Sequence, residues 1–185
     1  MATLRRAVFL DRDGTLNVDR AYLTRPDELQ LLPGVAEAVR LLQLAGFACV
    51  VVTNQSAVGR GMMTDADLQR IHDEMNRQFA ADQVTLDGIY ACTAAPSLDG
   101  IEHPDRKPAP GMLLRAAAEL RLDLTQSWIV GDSLRDMVAG QNAGCCGCIL
   151  VRTGHPIDVA QMGNEIHIAD DLLAAARIIL LSQST

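Results

Sequence analysis

Asp11 and Asp13 stand one residue apart in "AVFLDRDGTLN", directly after an apolar run. A turn can account for aspartates there. The same spacing also offers a chemical pair, one carboxylate to attack an electrophile and one to move a proton. Other segments place polar groups at the ends of apolar runs in the same way. "VVVTNQS" brings Thr53, Asn54, Gln55 and Ser56, and "WIVGDSLRD" brings Asp132 and Asp136. "DRKPAPG" carries Arg106 and Lys107 just before a helical pattern. Converging carboxylates repel one another unless a cation lies between them, so Asp11, Asp13 and Asp132 would form a hard, oxygen-rich site suited to Mg²⁺. Such a cation offsets the repulsion between a carboxylate and an anionic phosphate. Asp11 then fits a nucleophile that passes through an aspartyl-phosphate, and Asp13 fits the acid/base. Thr53 and Asn54 offer donors to phosphoryl oxygens, and Lys107 offers a point charge near a helix N-terminus.

These groups act together only if the chain brings them to one place. Apolar runs at 7–10, 47–52, 86–92, 127–132, 147–151 and 165–169 read as strands. Periodic segments at 33–46, 64–82, 110–122, 134–144 and 171–181 read as helices. Thr64 with Asp67 has the form of a capping box. The alternation predicts an α/β fold, a Rossmann-like parallel sheet with helices on both faces, as a single domain over 1–185. Ligands of such sheets bind outside the carboxyl ends of the strands, where Asp11, Thr53 and Asp132 would fall. Only a loop, a helix and a strand separate Asp13 from Thr53, and only a helix, a strand and a loop separate Thr53 from Lys107. That leaves no room for an inserted cap domain. Substrate recognition is therefore expected from the loops at 17–26 and 56–62 and from the segment before Arg106.

Composition bounds the partners. The chain has 185 residues, 49% hydrophobic and 21% charged, with a net charge of -7 and no basic run. The charge argues against a nucleic-acid partner. No apolar run spans a bilayer, so no membrane partner is expected. Five cysteines, an odd number, suit reduced thiols and a cytoplasmic location. "AGCCGC" lacks a second ligand pair and reads as buried thiols. With no exposed heptad, a monomer is expected.

In order along the chain, "DRDGTLN", "VVVTNQS", "RKP" and "VGDSLRD" resemble the four motifs of the haloacid dehalogenase-like (HAD) phosphatases. The resemblance implies a HAD-like fold, with Asp11 as nucleophile and Asp13 as acid/base. It also implies Thr53 as a phosphoryl ligand, Lys107 as its stabilising cation, and Mg²⁺ held by Asp11, Asp132 and the backbone carbonyl of Asp13. Longer stretches, "FLDRDGTLNVDRAYL", "VVVTNQSAVGRG", "RKPAPGMLL" and "LVRTGHP", are similar to the subfamily that removes the C7 phosphate of D-glycero-D-manno-heptose 1,7-bisphosphate, on the route to ADP-heptose. That similarity implies a phosphosugar substrate contacted by Asp19, Arg20, Ala21 and Tyr22, by Thr53, Asn54, Gln55 and Ser56, and by Arg106 and Lys107. Asp136 is expected to support the metal site or to serve as a helix-N-terminal carboxylate.

Relatives of this kind carry a structural zinc site of pattern Cys-x-His then Cys-x-Cys. Here the positions read Cys92-Thr93-Ala94 and His103-Pro104-Asp105, so a metal-free loop is expected, although Cys92, His103 and Asp105 remain possible ligands. Three alternatives stay open beside the heptose bisphosphate: histidinol phosphate, a polynucleotide 3′-phosphate, which the negative charge disfavours, and non-catalytic phosphosugar binding.

Overall fold

The computed structural model describes residues 4–97, 99–156 and 166–183. Six strands build one sheet: β1 (Ala7–Leu10), β2 (Ala48–Asn54), β3 (Gly88–Cys92), β4 (Trp128–Gly131), β5 (Gly147–Val151) and β6 (Ile166–Ala169). Their order is β3-β2-β1-β4-β5-β6, and every pairing is parallel. The helices are α1 (Val35–Leu44), α2 (Ser56–Gly59), α3 (Asp65–Ala81), α4 (Gly111–Leu120), α5 (Leu134–Ala143) and α6 (Leu172–Ser182).

The apolar runs lack polar alternation because both faces of the sheet are covered. Val8, Leu10, Val51, Val130 and Ile149 face one side, where they pack with Leu42, Ile71, Phe79 and Ile179 of α1, α3 and α6. Ala7, Phe9, Val50, Val52, Ile129 and Leu150 face the other, against Met112, Leu113 and Met137 of α4 and α5. Successive strand residues thus supply two cores in turn.

β1 lies between β2 and β4, with Leu10 in register with both Val51 and Val130. The carboxyl ends of β1 and β4 therefore fall within one residue of each other, β2 runs on to Asn54, and all three strands release their loops at the same edge of the sheet. The connection from β1 to β2 holds a 3-10 turn at Pro26–Glu28 and α1; that from β2 to β3 holds α2 and α3. The expected elements are present, and the Thr64/Asp67 capping box forms at the start of α3. The short α2 was expected as loop; four residues are too few for a periodic pattern. Of the expected last strand 165–169, Glu165 lies outside the described residues. Among the described residues, no helix is long and apolar enough to cross a membrane.

Candidate active site

Asp11 follows β1, with its backbone N–H donating to Val130 O at 2.9 Å, so the β1–β4 ladder itself sets the start of the catalytic loop. The chain then turns sharply. The carbonyl of Arg12 accepts from the N–H groups of Leu16 (2.8 Å) and Asn17 (3.1 Å). Gly14 adopts φ +75°, and a Cβ there would lie 2.4 Å from Asp132 Oδ2; a Cβ at Gly154 would lie 1.9 Å from the same atom. The backbone thus closes directly over Asp132 from two sides, which only glycine permits.

Lys107 reaches under this loop from the other half of the chain. Its Nζ donates to Asp11 Oδ1 at 2.8 Å and to Val52 O at 2.7 Å, and lies 2.6 Å from Asp136 Oδ1. Three acceptors match the three N–H bonds of a buried ammonium. Burial works against that charge, but the two carboxylates outweigh it and hold Lys107 firmly protonated. Asp136 has a second task. Its Oδ2 accepts from Ser133 N–H at 3.1 Å, forming a capping box at the start of α5. The two readings of Asp136 are therefore combined in one side chain, one oxygen capping the helix and the other facing the site.

Carboxylate oxygens of Asp11, Asp132 and Asp136 lie within 4.8 Å of one another. Burial, with repulsion from Asp136 and Asp132, outweighs the opposing pull of Lys107 and leaves Asp11 raised to about 7. Burial also raises Asp132, against the hydrogen bonds from His155. Three acidic groups with one lysine between two of them form an all-oxygen donor set short of positive charge, and this fits a hard divalent cation such as Mg²⁺. Of the side chains expected at the metal, Asp11 and Asp132 are in this cluster. The side chain of Asp13 is not in the cluster, and Asp136 is. The carboxylate of Asp13 is occupied elsewhere: Arg12 Nη2 donates to its Oδ2 at 2.8 Å, Asn17 Nδ2 to its Oδ1 at 2.9 Å, and Gln55 Nε2 to its Oδ2 at 2.9 Å. Burial of Asp13 opposes ionisation, yet Arg12 and these hydrogen bonds prevail and hold it below the usual carboxylate range.

A cavity of about 320 Å³ opens over these groups. Asp11, Asp13, Thr53, Asn54, Ser56, Arg106 and Lys107 line it, together with Asp19, Ala21 and Tyr22 from the loop after β1. Arg20 and Gln55 do not, contrary to expectation. Gln55 is turned inward, where its Nε2 also donates to Thr53 Oγ1 at 2.9 Å, so it acts on site residues rather than on a ligand. Thr53 Oγ1 accepts that bond, which leaves the hydroxyl proton available to a phosphoryl oxygen. Asn54 uses its side chain to fix the Lys107 backbone. Asp19 Oδ1 accepts from Ala21 N–H at 3.0 Å, an Asx turn that supports Ala21 at φ +55°.

Arg60 and Pro96 line the cavity from two of the segments expected to recognise substrate, while sequence reasoning missed Ser133, Arg135 and His155. The backbone N–H and Nδ1 of His155 both meet Asp132 Oδ2, at 2.9 and 2.6 Å. The one available signal was its place in "LVRTGHP", just past a strand's carboxyl end.

The loop before Arg106 is joined by protein contacts. His103 Nδ1 accepts from Asp105 N–H at 3.1 Å and lies 3.8 Å from Cys92 Sγ. Asp105 turns its carboxylate away to Arg115 at 2.5 Å. The two groups of possible metal ligands among the described residues, Asp19/Asp132/His155 and Asp11/Asp132/Asp136, contain no cysteine.

A parallel α/β sheet with a carboxylate loop after its central strand and a lysine beneath it defines a HAD-like hydrolase, and residues 105–175 match the Hydrolase_like family, described as "HAD-hyrolase-like". The chain is 44% identical over 155 residues to the D-glycero-beta-D-manno-heptose-1,7-bisphosphate 7-phosphatase of Yersinia pestis, covering 82% of each. It is 45% identical over 161 residues to that of Escherichia coli (strain K12), covering 85% of this chain and 84% of the relative. The structure of D,D-heptose 1.7-bisphosphate phosphatase from B. bronchiseptica, complexed with magnesium and phosphate, superposes with a TM-score of 0.86 at 38% identity, covering 96% of this chain and 99% of the other. The chain belongs to the family of the D-glycero-beta-D-manno-heptose-1,7-bisphosphate 7-phosphatases.

Proposed function

We propose that this protein hydrolyses the C7 phosphomonoester of D-glycero-β-D-manno-heptose 1,7-bisphosphate, leaving the 1-phosphate. The observation that carries the reading is the meeting of Asp11, Lys107 and Thr53 with the Asp132/Asp136 pair in one cavity, within a chain whose relatives carry this activity in their names. Asp11 attacks phosphorus, forming an Oδ–P bond as the bond from phosphorus to the sugar oxygen breaks. Lys107 and Thr53 hold the phosphoryl oxygens, and Asp13 gives its proton to the departing alcohol. In the second half Asp13 takes a proton from water, whose oxygen bonds to phosphorus as the Asp11 bond breaks. The approaching phosphate dianion opposes ionisation of Asp13, which favours the protonated form the first half needs. Mg²⁺, held by Asp11, Asp132 and Asp136 and by the Asp13 carbonyl that the family resemblance implies, supplies charge neutralisation between phosphate and carboxylate. Asp19, Ala21, Tyr22, Asn54, Ser56 and Arg106 form the walls against which the sugar is recognised. The unit acts as a cytoplasmic single-domain monomer.

The test is phosphate release with Mg²⁺ from both anomers of the heptose bisphosphate, fructose 1,6-bisphosphate, histidinol phosphate and a 3′-phosphorylated oligonucleotide. The expected result is the highest kcat/KM for the β-heptose bisphosphate and none for Asp11→Asn, which should keep the wild-type melting cooperativity. A flat profile, or preference for another ester, overturns the substrate. Turnover by Asp11→Asn overturns the nucleophile.

A further inference from the structure

Arg12 lies between the two catalytic aspartates yet is fully buried, the largest of the side chains that are less than 2% exposed. Removing a guanidinium from water is strongly unfavourable unless it is paired and hydrogen-bonded. Arg12 donates through Nε to Asp13 Oδ1 (3.2 Å) and through Nη2 to Asp13 Oδ1 (3.1 Å), Asp13 Oδ2 (2.8 Å) and Gln55 Oε1 (3.0 Å). Its Nη1 has no hydrogen-bond partner among the described residues. Among the described residues the Arg12 side chain donates to no backbone carbonyl. All its hydrogen bonds end on Asp13 or on Gln55, and Gln55 in turn donates to Asp13 and Thr53. The guanidinium and the amide thus enclose the Asp13 carboxylate from behind, while that carboxylate keeps 26% of its surface open and lines the cavity.

We infer that Arg12 is a positioning residue for the reaction, a buried fork that fixes the Asp13 carboxylate in the orientation from which it protonates the leaving oxygen. The inference rests on the acid/base reading of Asp13 given above. A planar fork with two nitrogens on one carboxylate sets both its place and its rotation, which a lysine cannot do.

Dependence on the leaving group separates this role from simple support of the fold. A sugar alkoxide needs a proton to depart; p-nitrophenolate does not. The experiment measures kcat/KM, which reports the steps up to transfer onto Asp11, for the preferred sugar phosphate and for p-nitrophenyl phosphate. Wild type, Arg12→Met, Arg12→Lys and Asp13→Ala are compared. Asp13→Ala should lose roughly 10²–10⁴-fold with the sugar phosphate and little with the aryl ester, the size expected for general acid catalysis. Arg12→Met should show the same selectivity, with a loss of about 10²-fold against less than about 3-fold, and Arg12→Lys should recover part of it. Equal losses with both esters in a folded Arg12→Met overturn the inference. If Arg12→Met gives no melting transition, Arg12→Lys decides: a several-fold loss confined to the sugar phosphate supports the role, and a uniform loss or none overturns it. If Asp13→Ala itself loses both esters alike, the acid/base reading fails and the inference falls with it. A selective Asp13→Ala beside an unselective Arg12 variant sinks the inference alone.

Discussion

Asn54 holds the backbone of Lys107 by two hydrogen bonds, its Oδ1 accepting from Lys107 N–H and its Nδ2 donating to Lys107 O, each at 3.0 Å. The end of β2 is thereby fixed to the loop that carries the buried ammonium. Asn54→Asp keeps the acceptor but sets a carboxylate oxygen against the Lys107 carbonyl. The expected outcome is a fall in kcat/KM of about 10²-fold, as Lys107 shifts from Asp11. A stability loss of about 2 kcal/mol in urea titration should accompany it. Unchanged kinetics would mean that Lys107 is placed by its three acceptors alone.

Removal and return of the metal should be pH-dependent in a defined sense. Asp11 rises from its ordinary 3.8 to about 7 in the fold. Between those values the metal-free folded state binds the extra proton, so its stability is greatest at the acid end and declines as pH rises through about 7. Mg²⁺ competes with that proton. Its stabilisation of the melting temperature should therefore be larger at pH 8 than at pH 6, with proton release on binding in calorimetry near neutrality. Equal Mg²⁺ shifts at the two pH values would remove Asp11 from the ligand set.

His72 gives the opposite sign. Burial, aided by the nearby Arg12 charge, lowers its imidazole from 6.5 to about 4, and its Nε2 has no hydrogen-bond partner among the described residues. The unfolded chain binds the proton first, so this contribution to stability is complete above about 6.5 and is lost as pH falls toward 4. The loss is of the order of 3 kcal/mol. His72→Leu should flatten the acid limb of the stability profile; an unchanged limb assigns it to other groups.

Cys92→Ser tests the loop before Arg106. Because Asp105 faces Arg115 and His103 Nδ1 lies 3.8 Å from the thiol, the replacement should change stability by less than about 1 kcal/mol. Zinc content by elemental analysis should be the same in both proteins. A large loss of either would restore a metal site to this loop.

Much of the frame was legible before any coordinates. Strands buried on both faces show as continuous runs, and their parallel order places Asp11, Thr53 and Asp132 at one edge without knowledge of a single contact. The remainder depends on where side chains turn after that edge. A charged residue reads as exposed, so nothing in "DRDG" marked Arg12 as fully buried. Gln55 and Ser56 are neighbours, but only Ser56 faces the cavity, because Gln55 meets Asp13 and Thr53 beneath it. Arg60, Arg135 and His155 reach the cavity from three separate segments, a convergence that spacing along the chain does not encode. Asp136 was visible one helical turn after Asp132; its ion pair with Lys107 joins segments that only the packed sheet brings together.

The central place of β1 also fixes when the protein can first work. As the chain leaves the ribosome, β1 finds β2 early, but its other edge waits for Trp128–Gly131. Until those residues emerge, Asp11 has no Val130 carbonyl to anchor its N–H, and neither Asp132 nor Asp136 exists beside it. A chain ending before β4 holds Asp11, Asp13 and Lys107 but lacks the two carboxylates that complete the cluster around Asp11. The complete cluster therefore exists only once both edges of β1 are paired.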